Sequence, residues 1–145
     1  MTTSETVHAS AALVDGRGVL IRGRSGSGKS SLLLCLLYSE PNAMLVADDR
    51  VVLTAVDGRI LASVPDAIAG RMEVRGVGIV CRPHVSPAAV DLVVDLVPLA
   101  ECPRLPDTDE ARALVDGIPL PRIFVAAGAA DGASRVRAAL AAIIV

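Results

Sequence analysis

The sequence predicts an α/β domain in which a mixed β-sheet is flanked by helices, and three features carry this prediction. The chain has 145 residues, the size of one ordinary domain. A short apolar run, "VLIRG", leads into the glycine-rich segment "GRSGSGKS" and then into a second apolar run, "SLLLCLL". Elsewhere, apolar runs of strand length are separated by Asp-Gly pairs, which are typical of tight turns between antiparallel strands. We therefore expect residues 1–145 to form a single domain.

The first half of the chain predicts two hairpins with a helix and a strand between them. The strand segments are "HASAALVD", "GVLIRG", "AMLVADD", "RVVLTAV" and "RILASV". Asp-Gly pairs at positions 15–16 and 57–58 supply the hairpin turns, and the first hairpin leads directly into the glycine-rich segment. The apolar residues 29–39 predict a helix, which Pro41 ends because proline cannot continue it.

The second half predicts a strand, a hairpin and a C-terminal helix. In the segment "AGRMEVRGVGIVCRP", Glu73 and Arg75 are separated by one residue, which indicates one face of a strand. A strand at "AVDLVVDLV" is followed by a proline-marked loop and by a hairpin around residues 116–117. The last segment, "DGASRVRAALAAIIV", predicts a helix that is capped by Asp131 or Ser134. Its apolar face would comprise Val136, Leu140, Ile143 and Ile144.

The composition excludes several classes of partner. The formal net charge is −2, with one Tyr, one Phe and no Trp. The chain therefore lacks the cationic surface and the aromatic stacking platform of nucleic-acid-binding proteins, and no DNA or RNA partner is expected. Charged residues interrupt every apolar stretch before the roughly 18 to 20 residues of a membrane span, and the start of the chain has no leader pattern. We expect a cytoplasmic protein with no membrane partner, in which the three cysteines stay reduced.

The segment "GRSGSGKS" has the spacing G-x-x-x-x-G-K-S of a phosphate-binding loop. Glycines let backbone N–H groups turn toward phosphate oxygens, and the following helix adds a partial positive charge. Lys29, the only lysine in the chain, would neutralise the outer phosphates, and the Ser30 hydroxyl would ligate Mg²⁺. The predicted nucleotide-binding residues are Gly23, Arg24, Ser25, Gly26, Ser27, Gly28, Lys29 and Ser30.

Two adjacent carboxylates, Asp48 and Asp49, end the apolar run that follows the predicted helix. In open parallel sheets the carboxyl ends of the strands face the bound ligand, so both side chains are expected near the phosphates. One carboxylate would hold a metal ion through water, and the other would take a proton from an attacking hydroxyl. The residues alone leave open which carboxylate has which role, and whether the pair is only a turn before Arg50.

Three ordered segments, "GRSGSGKS", "LVADDRV" and "EVRGVGIV", resemble the catalytic domain of the bacterial HPr kinase/phosphorylase family. The resemblance implies a P-loop kinase domain with a mixed sheet and flanking helices. It implies transfer of phosphate from ATP with Mg²⁺, or from pyrophosphate, to a serine of an HPr-like phosphocarrier protein, and removal of that phosphate in the reverse reaction. It also implies a homohexamer that regulates the phosphotransferase system.

The resemblance also implies roles for single residues. Asp49, beside Asp48 in "LVADDRV", matches the proton acceptor of the forward reaction and the donor of the reverse reaction. Glu73 opens "EVRGVGIV" and would join Ser30 as a protein ligand of Mg²⁺. His8, in "VHAS", lies at the family's distance before the loop lysine, where an active-site histidine is expected.

Later segments depart from the family pattern. Arg104, in "PRLP", matches the active-site arginine of the family's "RLG" segment over a short stretch only. The family's proline-glycine-arginine-asparagine run, which is linked to dephosphorylation, is here "LPRIFVAAG", where only Arg122 after a proline is kept. The histidine motif begins after only seven residues, so the resemblance implies a short form reduced to the catalytic domain.

Two other classes of function remain open. A small-molecule or carboxykinase-like kinase shares a similar phosphate-loop core, but it needs a pocket that encloses a small acceptor, and 145 residues leave little chain for a lid. A non-catalytic nucleotide sensor needs no base for the chemistry. A sensor is disfavoured because the chain keeps the residues expected of a kinase site: Lys29, Ser30, Asp49 and Glu73.

Overall fold

A nine-stranded mixed sheet forms the centre of the computed structural model, which describes residues 3–144. The strands are β1 (Thr3–Val7), β2 (Ser10–Val14), β3 (Arg17–Gly23), β4 (Met44–Ala47), β5 (Val51–Val56), β6 (Arg59–Ser63), β7 (Arg71–Val74), β8 (Gly78–Cys81), β9 (Ala88–Val97), β10 (Arg112–Val115) and β11 (Ile118–Ala126). The helices are α1 (Lys29–Ser39) and α2 (Gly132–Ile144). β7 and β8 form a separate two-stranded sheet.

The strand directions bring several strand ends to one edge of the main sheet. The strands are ordered β1-β5-β6-β9-β3-β2-β4, and β11 with its partner β10 extends from β9. β9 is parallel to both β3 and β11. β2 is antiparallel to both β3 and β4, so β3 and β4 run in the same direction. The carboxyl ends of β3, β4, β9 and β11 therefore lie along one edge, together with the start of β2.

The main sheet separates two apolar cores, because alternate residues of a strand point to opposite faces. On the helix side, the core includes Val19, Ile21, Leu92 and Val94 from the sheet and Leu33 and Leu36 from α1. On the other side, the core includes Leu20, Val46 and Val93 together with residues of β5, β6 and β10, so the sheet curls around it. Burial on both faces explains why the central strands contain continuous apolar runs, at residues 19–21 of β3 and 92–94 of β9.

The predicted class, an α/β fold with a mixed sheet and flanking helices, is confirmed, and the three predicted Asp-Gly hairpins are present. The aspartates of these pairs have φ angles of 50° to 52°, and the glycines have φ angles of 75° to 79°. Two successive positive angles are characteristic of type I′ turns, whose twist matches that of antiparallel strands. The Asp-Gly pairs therefore determine where the strands reverse.

The N-terminal strand and the position of Arg75 differ from the sequence prediction. β1 was not predicted, and it pairs with β5 at the edge of the sheet. Arg75 lies in the turn between β7 and β8, so the prediction that it shares a strand face with Glu73 is wrong. Alternation along β7 instead places Arg71 on the same face as Glu73.

The C-terminal helix agrees with the prediction, and its start is consistent with Asp131 as the cap. α2 begins directly after Asp131, so Ser134 lies inside the helix and does not cap it. The Asp131 carboxylate accepts a hydrogen bond of 3.0 Å from Arg135 Nε. Val136 and Leu140 are buried in the helix-side core as predicted. Ile143 and Ile144 were predicted to extend this face; their backbone belongs to α2, but their side chains are outside what the structure describes. Among the described residues, no helix has the length and apolar character needed to cross a membrane.

Gly18 lies where β3 passes very close to β9. A Cβ atom at this position would overlap the carbonyl oxygen of Ala89, and the register of the two strands shifts between Gly18 and Val19. The Gly18 N–H donates a hydrogen bond of 2.9 Å to the Asp91 carboxylate. The pairing of the two central parallel strands therefore requires glycine here.

We expect Gly18→Ala to lower the free energy of unfolding by about 3 kcal/mol or more, because the obstructing atom belongs to backbone that cannot move aside easily. Chemical denaturation followed by circular dichroism measures this loss. Gly16→Asn in the same hairpin is the control, since nothing lies within 4 Å of a Cβ atom there, and asparagine tolerates positive φ. Equal stability of Gly18→Ala and the wild type would show that β3 and β9 are not in close contact.

Candidate active site

The glycine-rich loop joins the end of β3 to the start of α1. Gly26 and Gly28 have φ angles of 80° and 99°, which side chains rarely tolerate. A Cβ atom on Gly23 would lie 2.5 Å from the Ser27 hydroxyl oxygen. Each glycine in the predicted phosphate-loop spacing is thus required by backbone conformation or by close packing. The loop places the N-terminal end of α1 at the sheet edge where the strand ends meet.

Lys29 is held against the loop that precedes it. Its side chain is largely buried, and Nζ donates hydrogen bonds of 2.8 Å to the Gly23 carbonyl and 2.9 Å to the Arg24 carbonyl. Neutral carbonyls leave the ammonium charge uncompensated, and an anionic phosphate would compensate it. The buried cation, the helix end and the turned glycines therefore fit the phosphates of a nucleotide.

Asp48 is buried directly after β4 and accepts two hydrogen bonds from serine hydroxyls. Ser30 donates at 2.8 Å and Ser10 at 3.1 Å, both to the same carboxylate oxygen, Oδ1. Ser10 begins β2, and the sequence prediction did not include it. The only signal for it was a serine two residues after His8, too common to single out. Carboxylate and hydroxyl oxygens are hard ligands, so Asp48 and Ser30 suit Mg²⁺ beside the phosphates.

Asp49 is exposed in the cleft, whereas Asp48 is buried. Its φ angle is 72°, and the Arg50 N–H donates a 2.8 Å hydrogen bond to the Asp48 carbonyl, which closes a three-residue turn around Asp49. Turns with a positive φ at the central residue are rare and strained. The Asp49 carboxylate lies 2.7 Å from Nε2 of His8, and the two side chains are 65% and 54% exposed. The strained turn gives two adjacent aspartates different environments.

Nine of the thirteen predicted site residues line one cleft of about 740 Å³. Those that line it are His8, Ser25, Gly26, Gly28, Lys29, Ser30, Asp48, Asp49 and Glu73. Glu73 comes from β7, and its neighbours Arg71 and Arg75 line the cleft as well. The cleft therefore brings together three carboxylates, one buried ammonium and two guanidinium groups.

Four predicted loop or site residues do not line this cleft. Gly23 and Arg24 offer their carbonyls to Lys29. The Ser27 hydroxyl is buried without a hydrogen-bond partner among the described residues. The backbone N–H of Ser27 donates a hydrogen bond of 3.0 Å to the Arg24 carbonyl. Arg104 is exposed in the segment after the short 3-10 helix Leu99–Glu101. Within one chain, Arg104 therefore lies apart from the other predicted site residues.

A charged cluster of Arg22, Asp95 and Arg122 connects β3, β9 and β11 near the carboxyl ends of these strands. Asp95 on β9 accepts hydrogen bonds from Arg22 Nε at 2.7 Å and Arg22 Nη2 at 2.8 Å. These bonds raise the pKa of the Arg22 guanidinium, against burial, which lowers it. Arg122 on β11 donates to the same carboxylate at 3.3 Å and to the Glu110 carbonyl at 2.9 Å. Arg122 thus joins β11 to β9 behind the loop, outside the cleft.

The chain is similar in sequence to known proteins over most of its length. Residues 1–125 match the family model described as HPr Serine kinase C-terminal domain. The HPr kinase/phosphorylase of Geobacter sulfurreducens is 36% identical over 133 residues, which cover 83% of this chain and 41% of that protein. The HPr kinase/phosphorylase of Mycoplasma mycoides is 36% identical over 101 residues, covering 65% of this chain and 32% of that protein. The chain thus spans less than half of either relative.

A solved structure has the same fold over nearly the whole chain. The HPr(Ser) kinase/phosphatase from Coxiella burnetii superimposes with a TM-score of 0.80 at 25% sequence identity. The match covers 97% of this chain and 96% of the Coxiella chain. Together with the match over residues 1–125, it shows that this chain belongs to the HPr serine kinase C-terminal domain family.

Proposed function

We propose that this domain is an ATP-dependent protein serine kinase that phosphorylates a serine of an HPr-like phosphocarrier protein. The observation that carries the proposal is an exposed carboxylate, Asp49, in the same cleft as a phosphate-type loop. A protein that only senses nucleotide needs the phosphate-binding loop, but it does not need a carboxylate that is held in a strained turn. Membership of the family supplies the acceptor, since the named relatives are HPr kinases.

The donor phosphates are proposed to bind at the start of α1. Gly26 and Gly28 turn backbone N–H groups toward the phosphates, and Lys29 exchanges its carbonyl partners for phosphate oxygens. Ser30, Asp48 and Glu73 would hold Mg²⁺, which supplies positive charge against the charge of the phosphates. Ser10 would still hold Asp48 if Ser30 bound the metal, because both hydroxyls donate to the same carboxylate oxygen.

Asp49 is proposed to accept the proton of the acceptor serine. Its carboxylate is exposed to the cleft, so a hydroxyl group from another protein can reach it. His8, at 2.7 Å, restrains the rotation of the carboxylate and leaves its second oxygen free of that contact. Positioning of the base next to the donor is the main contribution expected in phosphoryl transfer, which needs little covalent chemistry from the protein.

Several finer properties belong to the same proposal. The chain acts as one catalytic domain in the cytoplasm, and it assembles into a homohexamer like that implied by the family resemblance. Arg104, which lies outside the cleft of one chain, would then meet an active site only across a subunit contact. The proposal includes the reverse reaction. Arg122, the one retained residue of the late family segment, binds Asp95.

Incubation with Mg·ATP and an HPr-like carrier, followed by mass mapping, tests the function directly. We expect one phosphoserine on the carrier, and no transfer by Lys29→Met, which removes the cation from the phosphate site. The Lys29→Met variant should keep its thermal unfolding curve, which separates lost binding from lost folding. Transfer to a metabolite alone would indicate a small-molecule kinase, and nucleotide binding without transfer would indicate a sensor.

The two aspartates should respond differently to the same substitution. Asp49→Asn should reduce the transfer rate about 10² to 10⁴-fold and keep nucleotide affinity, since it removes only the base. Asp48→Asn should instead raise the Mg²⁺ concentration needed for half-maximal rate, because an anionic oxygen beside Ser30 is lost. Rates measured across a Mg²⁺ titration distinguish the two effects. The opposite pattern would exchange the roles of Asp48 and Asp49.

The donor base is expected to contribute little to binding. The aromatic side chains of the described residues are engaged elsewhere: Arg82 stacks on Tyr38 at 4.3 Å and Arg122 on Phe124 at 4.5 Å. Neither ring lines the cleft, so we expect ATP, GTP and pyrophosphate to serve as donors with similar efficiency. A competition series with one carrier measures this. A preference for ATP over GTP above about a hundredfold, or roughly 2.7 kcal/mol, would reveal a base pocket.

A further inference from the structure

Ser10 places a fully buried hydroxyl beside the aspartate pair. It is the first residue of β2, and none of its surface is exposed to solvent. Its Oγ donates a hydrogen bond of 3.1 Å to Oδ1 of Asp48. His8, two residues earlier in the chain, contacts the Asp49 carboxylate. The start of β2 therefore contacts both aspartates, each through a different side chain.

A β-bulge in β4 brings Asp48 to the helix side of the main sheet. The register of β2 against β4 shifts by one residue, so that Val46 has no partner in β2. Leu45 belongs to the helix-side core, whereas Val46 and Ala47 both belong to the core on the other side. Strict alternation would place Asp48 on the face of Val46. Because of the bulge, Asp48 instead meets Ser30 of α1.

The same bulge determines which residue of β2 meets Asp48. Ala11 pairs with Ala47, so Ser10 lies opposite Asp48 in the shifted register. An unshifted register would place Ser10 opposite Ala47, and Asp48 would lose this donor. A buried carboxylate that lacks a donor is costly. The bulge and Ser10 therefore act together to give Asp48 a second hydrogen bond.

The two hydrogen bonds to Asp48 engage only one of its carboxylate oxygens. Ser30 and Ser10 both donate to Oδ1. No residue in the described part of the chain donates a hydrogen bond to Oδ2. Asp48 lines the cleft, so Oδ2 is the oxygen left for a cation there. Ser30 is itself a proposed ligand of that cation, whereas Ser10 is buried behind Asp48 and stays bound to Oδ1.

We propose that Ser10 is a positioning residue for the divalent cation that accompanies the nucleotide: its hydroxyl fixes Oδ1 of Asp48 and so keeps the carboxylate oriented for the cation. This inference rests on the cation site of the proposed function, and it adds a residue of β2 to that site. Hydrogen bonds that orient a ligating side chain typically change metal affinity about 10- to 100-fold.

Ser10→Ala tests the inference, because alanine already follows at the next two positions of β2 and the strand should keep its fold. Electron paramagnetic resonance of free Mn²⁺ measures cation binding to the protein with ADP, without any transfer reaction. We expect the Kd for Mn²⁺ to rise about tenfold or more in Ser10→Ala. The affinity for ADP in excess EDTA should change less than about twofold, because the phosphate loop is intact.

Two controls separate this effect from general damage. Ser63→Ala also removes a hydroxyl, which donates to the Val52 carbonyl at 3.4 Å outside the cleft, and it should leave the Kd for Mn²⁺ unchanged. Ser10→Ala combined with Asp48→Asn should raise this Kd little further than Asp48→Asn alone, since Ser10 acts through Asp48. Additive increases in the double variant would contradict a role that passes through this carboxylate.

The remaining outcomes distinguish this inference from the proposed function. An unchanged Kd for Mn²⁺ in Ser10→Ala would show that the hydroxyl only stabilises a buried carboxylate. A parallel loss of ADP affinity in EDTA, or an equal effect of Ser63→Ala, would show nonspecific disruption and overturn the inference. Absence of Mn²⁺ binding by the wild type would overturn it as well. Mn²⁺ binding that depends on Ser10, without phosphorylation of the carrier, would support this inference and overturn the proposed kinase function.

Discussion

The hydrogen bond from the Ser30 hydroxyl to the Asp48 carboxylate joins the phosphate loop to the neighbouring strand, and the rest of the site depends on it. A buried carboxylate is costly unless hydrogen-bond donors surround it. Ser30 and Ser10 supply those donors from the first turn of α1 and the start of β2, and Asp48 itself follows β4. Three chain segments are thereby held at one edge of the sheet. The strained turn at Asp49 comes directly after the buried Asp48, and the Asp49 carboxylate is exposed in the cleft.

Local chemistry made much of the fold predictable from sequence. The Asp-Gly pairs determine three hairpins, because only a few residue types accept two positive φ angles in succession. The loop spacing and the apolar run after it determined the extent of α1, which begins at Lys29 and ends at Ser39 as expected. The site residues carried by short motifs, such as His8 and the aspartate pair, do meet in one cleft. Each of these features depends on residues close together in the chain.

Features that depend on distant segments could not be predicted. The strand order, and with it the approach of Ser10 to Asp48, is set by pairing between segments that share no local signal. β1 is polar and short, and it is a strand because β5 offers it an edge. Arg75 leaves the strand because positive φ angles at Gly76 and Gly78 turn the chain there. Asp48 is buried and Asp49 is exposed because their tertiary partners differ, and two identical residue types give no sign of those partners.

A crystal structure of the protein with Mg²⁺ and a non-hydrolysable ATP analogue tests the central claim most directly. The account predicts that the outer phosphates occupy the loop from Gly23 to Ser30, and that Lys29 Nζ moves from the Gly23 and Arg24 carbonyls to phosphate oxygens. The metal should lie beside Ser30 and Asp48, while Asp49 remains next to His8 and nearest to the terminal phosphate. A terminal phosphate that faces Asp48 with Asp49 turned away, or an analogue bound outside this cleft, would contradict the account.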